Sequence, residues 1–105
     1  MMVVDITEKT AFNKILHSHE LVIVDFWATW CGPCRMLGSV IEEYSNENPE
    51  TPLVKVNVDE AKELAADFDI QSLPTIMIFK NGEPIASKIG FISKSVFAKY
   101  IDDHR

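Results

Sequence analysis

Leu21-Val22-Ile23-Val24-Asp25-Phe26-Trp27-Ala28-Thr29-Trp30-Cys31-Gly32-Pro33-Cys34 runs from a nearly unbroken apolar segment straight into the chain's two cysteines. Val22, Ile23 and Val24 are β-branched in succession. That composition predicts a strand over Leu21 to Ala28 covered on both faces, as in the parallel part of an α/β sheet. After Cys34 the period changes. Leu37, Val40, Ile41 and Tyr44 fall on one helical stripe, Glu42, Glu43 and Glu47 lie outside it, and Asn48-Pro49 ends the helix. A pair of thiols two residues apart, where a strand hands over to a helix, points to a dithiol that opens and closes as a disulfide. The competing reading is half of a zinc site. Structural zinc needs four ligands, and only His17, His19 and His104 remain, at no finger-like spacing.

The pattern extends outward in both directions. Val3 to Ile6 predicts a short strand. Thr7 is placed to cap a helix whose apolar face is Ala11, Phe12, Ile15 and Leu16. Leu53 to Val58 predicts a further strand, and Asp59 is placed to cap a short helix bearing Leu64, Ala65 and Phe68. Thr75 to Lys80 predicts a strand that turns back through Asn81-Gly82, the dipeptide of a type I′ hairpin, into an antiparallel return over residues 84–91. Ser93 opens a last helix with Val96, Phe97, Tyr100 and Ile101 as its apolar face. The order β-α-β-α-β-α-β-β-α predicts an α/β fold with a central mixed five-stranded sheet. Its first half is parallel, its end is an antiparallel hairpin, and four helices flank it. Ligands of such sheets bind beyond the carboxyl ends of the strands, where Cys31 falls.

The 105 residues predict one domain over 1–105, with a 47% hydrophobic and 25% charged composition that suits a globular chain. A formal net charge of −6 argues against nucleic acid and anionic membrane surfaces as partners. The opening Met-Met-Val-Val-Asp-Ile-Thr-Glu has no basic region, long apolar stretch or small-residue cleavage site, so a cytoplasmic setting is expected. Thiols are kept reduced there, and a cysteine pair in that setting needs a chemical purpose.

At a helix N-terminus, unpaired N–H groups and the macrodipole favour a thiolate at Cys31. A stabilisation of up to about 2 kcal/mol, against about 1.4 kcal/mol per pKa unit, lowers the thiol by about one unit. Cys34, one turn further in, is better placed to resolve a mixed disulfide than to start one. Gly32 allows close approach of a partner, and Pro33 suits the first helical turn. Asp25 interrupts the most apolar strand. Read as a buried carboxyl, it is raised towards neutrality and exchanges protons with Cys34; read as a strand-end residue, it reaches solvent. Lys55, among valines on another strand, either steadies that carboxylate or is an ordinary solvated lysine. Trp27 reads as core and Trp30 as an exposed contact.

Val24-Asp25-Phe26-Trp27-Ala28, Trp30-Cys31-Gly32-Pro33-Cys34, Lys55-Val56-Asn57-Val58-Asp59, Leu73-Pro74-Thr75, Phe79-Lys80-Asn81-Gly82 and Ile89-Gly90 together closely resemble the thioredoxin family across essentially the whole chain. The resemblance implies the thioredoxin fold and a protein-disulfide reductase. In it, Cys31 attacks, Cys34 resolves and Asp25 is the buried acid–base group. It further implies a cis Leu73–Pro74 bond and a client groove of Trp30, Gly32, Pro33, Leu73, Pro74, Thr75, Gly90 and Phe91. Leu73 and Thr75 would offer backbone to an added strand. No bound cofactor is implied, since NADPH and flavin act through a thioredoxin reductase. The other partners would be disulfide-containing client proteins, with no nucleic acid or membrane, and the chain would act as a monomer. Three positions depart from the family pattern: Gly38-Ser39 where a proline is common, Gln71-Ser72 in place of a basic residue and glycine, and Phe91 in place of a smaller residue. Two alternatives keep the fold: a binding subunit with an incidental dithiol, and a specialised paralogue with a dedicated client.

Overall fold

The computed structural model describes residues 3–105; Met1 and Met2, part of the leader reading above, lie outside them. Five strands, β1 (Val3–Asp5), β2 (Leu21–Trp27), β3 (Leu53–Asn57), β4 (Thr75–Lys80) and β5 (Glu83–Ile89), form one sheet in the order β1-β3-β2-β4-β5. β3 pairs in parallel with both β1 and β2, while β4 runs antiparallel to β2 and to β5. The expected mixed sheet is therefore present, with the most apolar strand at its centre.

The alternation along β2 sorts the core into two layers. Val22, Val24 and Phe26 point into a cluster with Phe12 and Leu16 of α1 (Lys9–Ser18) and Leu64 of α3 (Lys62–Asp67). Ile23 points the other way, to Leu37, Ile41 and Tyr44 of α2 (Gly32–Glu47) and Phe97 and Ile101 of α4 (Lys94–Asp102). Each fully buried Phe or Leu contributes about 1.5–3 kcal/mol. α2 runs without interruption through Gly38-Ser39.

The ends differ from expectation in a few places. Glu8, not Thr7, precedes α1, and its side chain makes no capping bond. Ala61, not Asp59, precedes α3. Val96 is 45% exposed, so the buried face of α4 is narrower than its apolar stripe. Ser93 caps α4 as its sequence suggests, accepting from the Val96 N–H. Asn81 and Gly82 turn the β4–β5 hairpin at φ of 52° and 83°, the left-handed geometry a type I′ turn requires.

Candidate active site

β2 ends at Trp27, and three residues later the chain enters α2 with Cys31 as its N-cap. Cys31 and Cys34 are joined as a disulfide, their Cα atoms 5.2 Å apart. The Cys31 sulfur also accepts from the Cys34 backbone N–H at 3.2 Å. The first turn of α2 thus aims an amide at that sulfur, the electrostatic arrangement that favours a thiolate once the bond is opened. Both cysteines are buried, but unequally: Cys31 is 7% exposed and Cys34 2%. Pro33 lies at the start of the helix, where its missing N–H leaves no bond unmade. A Cβ at Gly32 would touch nothing in the chain, so the fold itself does not demand glycine there.

Asp25 is buried on the α2 side of β2, two residues before the strand ends at Trp27, and neither carboxylate oxygen has a hydrogen-bond partner among the described residues. Burial pushes its carboxyl up to about 7, against the opposing charge of Lys55. The strand-end reading of Asp25 is thereby set aside. Lys55 is the residue directly across from Asp25 in the β2–β3 register. It is half-buried, and its Nζ lies 4.4 Å from the centre of the Trp27 ring. Gly38 of α2 comes close to the same amine.

In front, Trp30 is 69% exposed and its Nε1 donates to Asp59 Oδ2 at 2.9 Å. The turn after β3 orients Asp59, whose N–H donates to Asn57 Oδ1. Leu73 packs against the cluster formed by Ala28, Cys31 and Cys34, and the Leu73–Pro74 bond is cis. Thr75 is buried within β4 between Phe26 and Ile89, and its hydroxyl donates to Ser72 O at 2.6 Å. Gly90, at φ 97°, donates its N–H to Pro74 O at 2.8 Å, which brings the end of the hairpin to the cis bond. Phe91 beside it is exposed. β4 begins at the end of the sheet where β2 finishes, because its antiparallel register sets Thr75 against Phe26. Distant segments therefore meet around one disulfide.

The family model for thioredoxin matches residues 3–103. The chain belongs to the thioredoxin family. It is 42% identical over 99 residues to a thioredoxin of Chlorobaculum thiosulfatiphilum, covering 93% of this chain and 92% of that protein. Among solved structures it resembles a Plasmodium falciparum thioredoxin with a TM-score of 0.88 and 35% identity, over 96% of this chain and 98% of the other. A second structure, at TM-score 0.88 and 29% identity over 96% and 94% of the two chains, is from a study of thiol resolution in yeast mitochondrial 1-Cys peroxiredoxin through glutathione and thioredoxin systems. With its cysteines at bonding distance, this thioredoxin-family protein is a thiol–disulfide oxidoreductase that works through its own disulfide.

Two features of the site lie outside the sequence reading. Asp59, expected to cap a helix, instead accepts from the Trp30 indole with its carboxylate. Ile89, 64% exposed beside Gly90, enters the sequence reading only as part of the Ile89-Gly90 motif and without a role of its own.

Proposed function

We propose that this protein is a general protein-disulfide reductase, with the whole chain acting as one domain and one monomer in the cytoplasm. Cys31 thiolate attacks a sulfur of a client disulfide. A Cys31–client disulfide forms and the other client sulfur leaves as a thiolate. Asp25 accepts the Cys34 proton, Cys34 attacks Cys31 Sγ, the Cys31–Cys34 disulfide closes, and the client leaves with both sulfurs reduced. A thioredoxin reductase then returns two electrons from NADPH through its flavin.

The observation that carries this reading is the inequality of the two cysteines. Cys31 is the more exposed and stands at the helix N-cap, Cys34 is the more deeply buried, and burial pushes the Asp25 carboxyl up to about 7. Proton transfer is efficient when the pKa lies near the working pH. Lys55 supports it by opposing the rise of the Asp25 pKa. Trp30, Gly32, Pro33, Leu73, Pro74, Gly90 and Phe91 form the client groove. Leu73, outside the paired register of β4, offers the backbone edge. Thr75, paired on both sides, serves by holding Ser72. The structural likeness to a chain studied with a peroxiredoxin fits disulfide-bearing proteins as clients. Among the described residues no helix is long and apolar enough to cross a membrane.

The test is insulin reduction with thioredoxin reductase and NADPH. Turnover that disappears in Cys31→Ser supports the proposal, and a wild-type protein that leaves insulin oxidised refutes it.

A further inference from the structure

Beside the dithiol, one corner of the sheet is left open. Thr75 and Met77 of β4 pair with Ile89 and Ser87 of β5, and α3 ends at Asp67 before reaching them. The segment from Phe68 to Ser72 stands over this corner as a wall and closes a cleft of about 380 Å³. Its floor is apolar, with Met77 below and the exposed Ile89 alongside. Its rim carries one charged residue, Asp69. Asp69 forms no ion pair among the described residues, and its Oδ1 accepts from Gln71 Nε2 at 3.1 Å. It adopts φ 52°, a left-handed conformation that aspartate tolerates better than most residues. The cleft is tied to the dithiol through chain continuity, since Ser72 on its wall precedes Leu73, which packs against the cluster of Ala28, Cys31 and Cys34.

We propose that this cleft is a client subsite for a lysine or arginine side chain flanking the attacked cysteine. The inference rests on the reductase reading above. A basic side chain has a long aliphatic stem and a charged head, and it lies best along an apolar surface with its head at a polar edge. Met77 and Ile89 receive the stem and Asp69 receives the head. No cation lines the cleft to repel it, and the net charge of −6 draws basic segments towards the protein. The subsite gives the protein a preference among disulfides that the dithiol alone does not discriminate.

The test uses peptides closed by one disulfide that differ only at a residue near the attacked cysteine. Each neighbouring position carries Lys, Gln, Glu or norleucine in turn, and kcat/KM is measured for wild type, Asp69→Asn and Asp69→Glu. At one position Lys should exceed Gln by about two- to fivefold at low ionic strength, the range of an exposed ion pair. Asp69→Asn should erase that ratio, Asp69→Glu should keep it, and added salt should weaken it. Equal values for Lys and Gln at every position, or a ratio that survives in Asp69→Asn, would overturn the proposal. So would norleucine outrunning Lys, which would assign the cleft to apolar side chains. Failure of the wild type on every peptide and on insulin would instead strike the reductase reading and the subsite with it.

Discussion

Replacing Asp25 by Asn should reverse the usual expectation that removing a buried functional group weakens a protein. The carboxyl is pushed from 3.8 to about 7 by burial. Between those values the unfolded chain releases a proton that the folded chain keeps, so stability falls as pH rises through the interval. At about 1.4 kcal/mol for each pH unit, the folded state carries a penalty of about 4 kcal/mol once Asp25 is ionised. The penalty is absent below about pH 4 and complete above about pH 8. Asn has no proton to release, and its amide inherits the same unpartnered position. That fixed cost shifts the comparison by a constant without changing its slope. The assay is denaturant unfolding of the oxidised protein across this range, which keeps the thiols out of the titration. The unfolding free energy of Asp25→Asn minus that of wild type should rise by about 4 kcal/mol from acid to mild alkali. A difference that stays level would show that Asp25 ionises in the fold as it does in water, and the acid–base step assigned to it would lose its foundation.

Further outcomes follow from the same neighbourhood. Lys55 opposes the rise of the Asp25 pKa, so Lys55→Met should raise it further. Repeating the Asp25→Asn comparison in that background should move the rise to higher pH, and an unmoved transition would show that Lys55 does not act on the carboxyl. A Cβ at Gly38 would lie 3.6 Å from Lys55 Nζ, an ordinary contact. Gly38→Ala should therefore stabilise α2 by up to about 1 kcal/mol, the propensity difference between the two residues. A lowered thermal midpoint would mean that the amine has no room to yield.

The centre of this fold is legible because its signals are strong and local. Doubly covered β2 reads as an apolar run, and the switch to helical period after Cys34 locates the dithiol at a helix start. Asn81-Gly82 specifies its own turn. The helix start expected at Asp59 differs for a physical reason: a capping side chain can be claimed by a better partner. Trp30 takes Asp59, and that contact depends on two segments 29 residues apart meeting in space. Val96 shows the opposite error, an apolar residue on the right stripe with nothing packed over it. Asp25 stands out among apolar neighbours in the sequence, but its burial and its place across from Lys55 follow only from the β2–β3 register. The cleft at Asp69 was not legible at all. It exists because the β4–β5 hairpin carries Ile89 back alongside Thr75, and no local pattern reports that meeting.

The division of labour between the two sulfurs is most directly tested by trapping. Cys34→Ser, mixed with disulfide-bearing client protein and resolved without reductant, should accumulate covalent complexes through Cys31, because nothing remains to resolve them. Cys31→Ser should accumulate none, since the enclosed sulfur of Cys34 does not reach a client. Equal trapping by both variants, or trapping by Cys31→Ser alone, would contradict the assignment.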